Sequence, residues 1–185
     1  MNLKLYHSSN NIINKPDINH GRSNADFGKG FYLSLDLEFT KKWNSGTNSY
    51  INIYELDLND LNIKYLNQNK EWFNYILNNR QNNDLLKDYD VIIGPISNDT
   101  LFDTFGLLTS GYIKEKKALK VLKNGPKYIQ VVIKSEKALN NLRFINYISE
   151  NDEETTYYRQ LVKKDEKKFL KKFYKILRKE TKILR

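Results

Sequence analysis

Cysteine is absent from this chain of 185 residues. That excludes disulfides, thiolate metal sites and a cysteine nucleophile. Histidine occurs twice, as His7 and His20, so a histidine-rich metal centre is not expected and no metal is assigned. Long apolar runs are missing too, and nothing approaches the ~18 residues of a membrane span. The N-terminal MNLKLYHSS has no cationic region followed by an apolar run, so it does not read as a signal peptide. A cytoplasmic protein without a membrane span is the expectation. Neither GxGxxG nor the phosphate loop GxxxxGK(S/T) occurs, and there is no internal repeat or Gly/Ser linker.

Aromatic residues, by contrast, make up 13% of the chain and apolar residues 39%. A disordered chain would lack those aromatics, so this one folds. The length suits a single domain with a proper core. The formal net charge is +9, and its location matters more than its size. Residues 163–185 hold eleven Lys/Arg and three Asp/Glu, leaving 20 basic and 19 acidic residues in a nearly neutral body.

Alternation predicts strands over residues 3–7, 50–56 and 128–133, with YDVII (89–93) an apolar strand ended by Gly94 and Pro95. A polar loop runs from Ser8 to Asp26. Residues 27–34 read as a glycine-bearing turn entering a buried strand. Helices are predicted over 35–43, with Asp36 as N-cap, and over 71–80, with Trp72, Tyr75 and Ile76 on one face. A helical or loop region follows over 99–122. A short helix over 135–142 takes Ser135 as N-cap, and 144–148 reads as one more strand. From Asn151 onward a long amphipathic helix places Tyr158, Leu161, Val162, Phe169, Phe173, Ile176 and Leu177 near one side. Strands and helices mix without the alternation of a doubly wound sheet, which points to an α+β fold. The expected division is a body over 1–150 and a basic helix over 151–185.

The stretch DFGKGFYLS (26–34) carries the chemistry. Gly28 and Gly30 flank Lys29 and let backbone approach a neighbour closely. Phe31 and Tyr32 then offer aromatic faces that suit a flat ring. From the residues alone, a glycine-flanked core strand is the stronger reading of the same stretch. Trp43 reads as core. Asp90 is either a buried hydrogen-bonded acid or a site residue, and His20, in a polar loop, is assigned nothing.

The order Leu5-Tyr6-His7-Ser8-Ser9, then Asp26-Phe27-Gly28-Lys29-Gly30-Phe31-Tyr32-Leu33, resembles the ADP-ribosyltransferase superfamily. Within it, the chain is similar to the diphtheria-toxin and poly(ADP-ribose)-polymerase branch, which carries a His, a Tyr and usually a Glu on three separate strands. More narrowly, it resembles a bacterial family of transferase-like domains found beside toxin–antitoxin and phage-defence genes. That family also has a Trp after the second motif, an Asn-Arg pair, a Tyr-Asp-hydrophobic-Gly-Pro strand and a Gln-bearing strand. Here these are Trp43, Asn79-Arg80, residues 89–95 and residues 128–132 with Gln130.

The resemblance, which covers roughly residues 3–145, implies short, mostly antiparallel strands in a split sheet with flanking helices. It implies NAD as donor substrate and transfer of ADP-ribose to a protein or nucleic-acid target, with an antitoxin as a further partner. His7 then meets the adenosine-side ribose, Tyr32 stacks on nicotinamide, and Ser8, with Ser9, replaces a glycine whose backbone clamps the amide. Gly28, Lys29, Gly30 and Phe31 line the same site. Gln130 stands where the catalytic Glu is usual; it can hold a ribose hydroxyl but cannot act as general base. That points to mono-transfer and leaves the base to Asp99, Asp103 or an already nucleophilic target. A satisfied polar strand residue is the structural alternative for Gln130. Arg80 suits the pyrophosphate or the end of its own helix. A weakly active NAD- or nucleic-acid-binding module and an NAD glycohydrolase stand as alternatives to the transferase. For the tail, packing on the body, nucleic-acid binding, and docking to an acidic partner or anionic membrane all remain open.

Overall fold

The structure, a computed structural model, describes residues 1–19, 21–43, 49–97, 101–123 and 127–181, without the side chains of 101–103 and 179–181. The alternation at the N-terminus becomes β1 (Asn2–Ser9). β1 lies antiparallel to β3 (Ser49–Asp57) along its whole length, from Asn2 opposite Asp57 to Ser9 opposite Tyr50. β3 carries β7 (Leu142–Glu150) on its other side, with a register shift at Ile53/Tyr54. On the other flank β2 (Phe31–Ser34) pairs with β6 (Ile129–Ile133), and β6 with β5 (Val91–Pro95). The short β4 (Ile63–Tyr65) closes that edge, parallel to β5. The sheet order is β4-β5-β6-β2-β1-β3-β7. With six helices among the described residues, the chain is α+β.

The predicted caps form. Asp36 accepts the Phe39 N–H at 3.0 Å and starts α1 (Leu37–Lys42), and Ser135 accepts the Ala138 N–H at 3.1 Å and starts α5 (Glu136–Asn140). Such side-chain acceptors satisfy amides that a helix leaves without partners. Asn69 does the same for α2 (Lys70–Arg80), whose Trp72, Tyr75 and Ile76 are buried as the pattern implied. The Trp72 indole donates to the Pro95 carbonyl at 2.7 Å and ties α2 to the end of β5. The region 99–122 resolves into α3 (Leu101–Thr109) and α4 (Glu115–Leu122). α6 (Asp152–Thr181) is the long C-terminal helix.

One face of the sheet buries Leu5, Phe31, Leu33, Tyr54, Val91 and Val131 in a single cluster. Trp43 departs from its expected core position. It follows α1 as the C-cap residue and is 54% exposed, touching Phe39 edge-on.

Two compact units divide the chain, Met1–Ile96 with Tyr128–Arg159, and Ser97–Lys127 with Gln160–Arg185. The boundary expected at 150/151 coincides with the β7–α6 junction, whereas the two units divide the chain within α6. In the first unit the Tyr158 hydroxyl donates to Glu38 at 2.6 Å, and that bond, with burial, pushes the phenol up to about 12. In the second unit the α6 stripe is occupied: Phe169 and Phe173 pack with Val121, bordered by Leu107, Ile176 and Leu177. Of the 31 basic and 22 acidic residues, 17 and 6 fall in the second unit, giving it a net +11 and the first unit −2. No helix among the described residues is long and apolar enough to cross a membrane.

Because that second core is small, each aromatic in it carries much of its stability. Phe173→Ala is expected to lower the unfolding free energy by about 3 kcal/mol in urea denaturation, the lower end for a buried phenylalanine.

Candidate functional site

β1 and β2 sit side by side at the centre of the sheet but share just one register pair, Tyr6 with Ser34. Each is fully paired on its other side, β1 to β3 and β2 to β6. Over residues 7–9 and 31–33 the ladder between them is not continued. The His7 side chain takes its place, with Nδ1 2.7 Å from the Tyr32 carbonyl oxygen. A carbonyl only accepts, so Nδ1 carries the proton. Burial lowers the His7 pKa below its ordinary 6.5, against the opposing pull of the Tyr32 carbonyl. The neutral ring therefore presents Nε2 as an acceptor, and no partner among the described residues bonds to that atom. The ring packs on Phe31 at 4.5 Å, and Phe31 in turn meets Tyr54 edge-on. Beside it, the fully buried Asn52 lies opposite His7 in register and holds the following loop through the Ile13 N–H and the Asn11 carbonyl.

Gln130 lies two strands away on β6, opposite Ser34 on one side and Gly94 on the other. Only 7% of it is exposed, and its Nε2 has no hydrogen-bond partner among the described residues. A buried donor left without an acceptor costs roughly 1–3 kcal/mol, a penalty that a ligand oxygen would relieve. The three residues His7, Tyr32 and Gln130 occupy the adjacent strands β1, β2 and β6. Strand alternation puts the His7 ring on the face of Phe31 and Leu33, and Tyr32 and Gln130 on the opposite face. They meet as neighbours in the sheet, not as side chains converging on one point.

Residues 26–30 are fixed by a polar network. The Tyr32 hydroxyl accepts the Phe27 N–H at 3.0 Å and donates to the Gly28 carbonyl at 2.7 Å. Lys134, its side chain 5% exposed, donates to the Phe27 carbonyl at 2.7 Å and to Asp84 at 2.9 Å. The Tyr75 hydroxyl is shared between that carbonyl and Asp84. Asn79 donates to the Asp26 carbonyl, and the Arg80 guanidinium pairs with the Asp26 carboxylate. The guanidinium, read as suiting either a pyrophosphate or its own helix end, engages the loop here. Burial lowers the Lys134 pKa, and Asp84 counters that pull. Removing one partner from such a buried pair costs about 3–5 kcal/mol.

The glycines serve this packing. Gly28 has φ 71°, and a Cβ there would sit 2.9 Å from the Asn79 amide oxygen. At Gly30 a Cβ would lie 2.5 Å from the Ile133 carbonyl oxygen. Their close backbone approach is to the protein itself. Lys29 is exposed, Phe31 is core, and Tyr32 commits its hydroxyl to the loop. Ser8 and Ser9 lie in the part of β1 that pairs with β3 but not with β2, with Ser9 accepting the Asn11 N–H. Asp90 is structural: burial disfavours its carboxylate, but hydrogen bonds from Ser135 and the Asn62 N–H, with Lys137 nearby, hold it below the usual range. His20 and Asp99 lie outside the described residues, as does the Asp103 side chain. Among the described residues no group of His, Asp and Glu could hold a metal. Lys134, Asp84 and Asn52 carry no motif and were missed from the sequence, where Tyr75 was read only as part of a buried helix face.

Because His7 is held neutral, stability tied to it is complete above pH 6.5 and is lost as pH falls from there through the folded value. Chemical denaturation of the wild type and His7→Asn at a series of pH values is expected to show this loss in the wild type and a weaker one in the variant. NMR titration is expected to place the His7 imidazole pKa below 6.5.

Comparison with curated proteins and with solved structures gave no match. A family model matches residues 3–144, from the second residue of β1 to the third of β7, more than half of the chain. The chain belongs to that family, described as Protein of unknown function (DUF3990).

Proposed function

We propose that this chain is a mono-ADP-ribosyltransferase with an ADP-ribosyltransferase-like fold, using NAD as donor and a macromolecule as acceptor. The observation that carries the proposal is the parted β1–β2 junction, where the His7 ring, fixed through Nδ1, offers an acceptor at Nε2. A ribose hydroxyl can donate to that atom. The fit is to hydroxyl groups, and the described residues around the junction ask for no metal. The resemblance in residues 5–9 and 26–33 supports NAD as the molecule that brings those hydroxyls.

NAD supplies an ADP-ribosyl group whose bond to nicotinamide breaks as a target nucleophile bonds to the anomeric carbon, nicotinamide leaving neutral and the nucleophile's proton passing to solvent. His7 orients a ribose hydroxyl through Nε2 while Nδ1 keeps the ring fixed on β2. Gln130, on the opposite face of the sheet, is an amide that takes no proton, so the chain adds one unit without activating further ones. Tyr32 and the 26–30 network hold the loop rigid, and a rigid site acts by positioning. A cytoplasmic toxin or phage-defence effector, countered by an antitoxin, is the setting that the resemblance suggests.

The test uses the full chain with labelled NAD and several cell lysates. Labelled macromolecule and released nicotinamide are expected, and His7→Ala is expected to weaken NAD binding about tenfold, the worth of one good hydrogen bond. No NAD binding and no nicotinamide release would sink the proposal. Release without labelled target would assign a glycohydrolase. Binding without release would assign a binding module, the alternative favoured by an amide at Gln130 in place of a carboxylate.

A further inference from the structure

We propose that the second unit binds nucleic acid through the exposed face of α6, by contacts to the phosphate backbone. Between Lys163 and Arg178 lie eight basic residues and two acidic ones, Asp165 and Glu166. Lys163, Lys164, Lys167, Lys168, Lys171 and Lys172 are all exposed. Among the described residues no ion pair engages any of the six. At 1.5 Å per residue these six cations occupy roughly 15 Å of helix, one per ~2.5 Å. B-DNA carries one negative charge per ~1.7 Å of its axis, so the two densities are of one scale. Four-residue steps align Lys164, Lys168 and Lys172 in one stripe and Lys163, Lys167 and Lys171 in another.

The other side of the helix distinguishes among polyanions. An interfacial membrane helix buries its apolar face in lipid. Here that face is taken: Phe169 and Phe173 are packed with Val121 inside the unit. What remains outward is cationic, joined by Tyr174, which is 54% exposed and offers a ring on which a base can stack. Lysines reach phosphates as point charges, so the contact is independent of sequence. Binding by this face stands apart from any chemistry at the β1–β2 junction.

Fluorescence anisotropy of the full chain with single-stranded and duplex oligonucleotides of about 20 nucleotides tests this. About three simultaneous phosphate contacts predict a roughly 40-fold loss of affinity on duplex between about 50 and about 200 mM salt. The triple variant Lys164→Gln, Lys168→Gln, Lys172→Gln is expected to weaken binding by about tenfold or more. The companion triple at Lys163, Lys167 and Lys171 reads the neighbouring stripe, and circular dichroism checks the helix in both. Absence of binding at low salt would overturn the proposal, as would full affinity in both folded triples. Phosphatidylserine vesicles or polyglutamate bound as tightly as the oligonucleotides would overturn it in favour of a membrane or an acidic protein.

Discussion

One hydrogen bond, from the His7 imidazole to the Tyr32 carbonyl, spans the place where the sheet is weakest. β1 closes one half of the sheet with β3 and β7, and β2 closes the other with β6, β5 and β4. Between the halves stand one backbone pair and this ring. Two consequences follow from the bond's direction. It requires a proton on Nδ1, and burial against Phe31 keeps the ring otherwise neutral. The same atoms that join the strands therefore leave an acceptor on the ring's far side.

The 26–30 loop is fixed by a different balance. Burying a lysine, an arginine and two carboxylates is costly unless each is paired. Here each charge meets an opposite charge or a backbone group: Lys134 with Asp84 and the Phe27 carbonyl, Arg80 with Asp26. The glycines allow the backbone to come close enough for those bonds to form. Rigidity of the loop thus comes from polar pairing over a close-packed backbone, and the Tyr32 hydroxyl carries that rigidity into β2.

Much of this architecture was legible in the sequence because its causes are local. Asp36 and Ser135 cap the helices they were expected to cap, since a cap needs only an oxygen three residues before an amide. The strands over 50–56 and 128–133 follow from alternation. β4 escaped because three residues are too few for a period. Trp43 was placed in the core on size and hydrophobicity, yet it follows the last turn of a six-residue helix and stays exposed. The glycines were read as facing a ligand because nothing in their neighbourhood announces Lys134, Asp84 or Ile133, all more than fifty residues distant. Gln130 was legible as a polar residue in an apolar strand, but its lack of an acceptor depends on what surrounds it in space. Charge was found in the tail and proved to extend over 97–127 as well, since the second unit draws on both stretches.

Two chemically distinct features result, a strand junction held by the His7 ring in a unit of net −2 and a cationic helix face in a unit of net +11. The junction carries the central claim, that His7 is a fixed acceptor for the donor substrate. Long-range proton–nitrogen NMR of the imidazoles, with and without NAD at neutral pH, measures this directly. The account predicts a neutral His7 protonated at Nδ1 whose Nε2 signal moves when NAD is added. A ring protonated at Nε2, or an Nε2 signal unmoved by excess NAD, would contradict it.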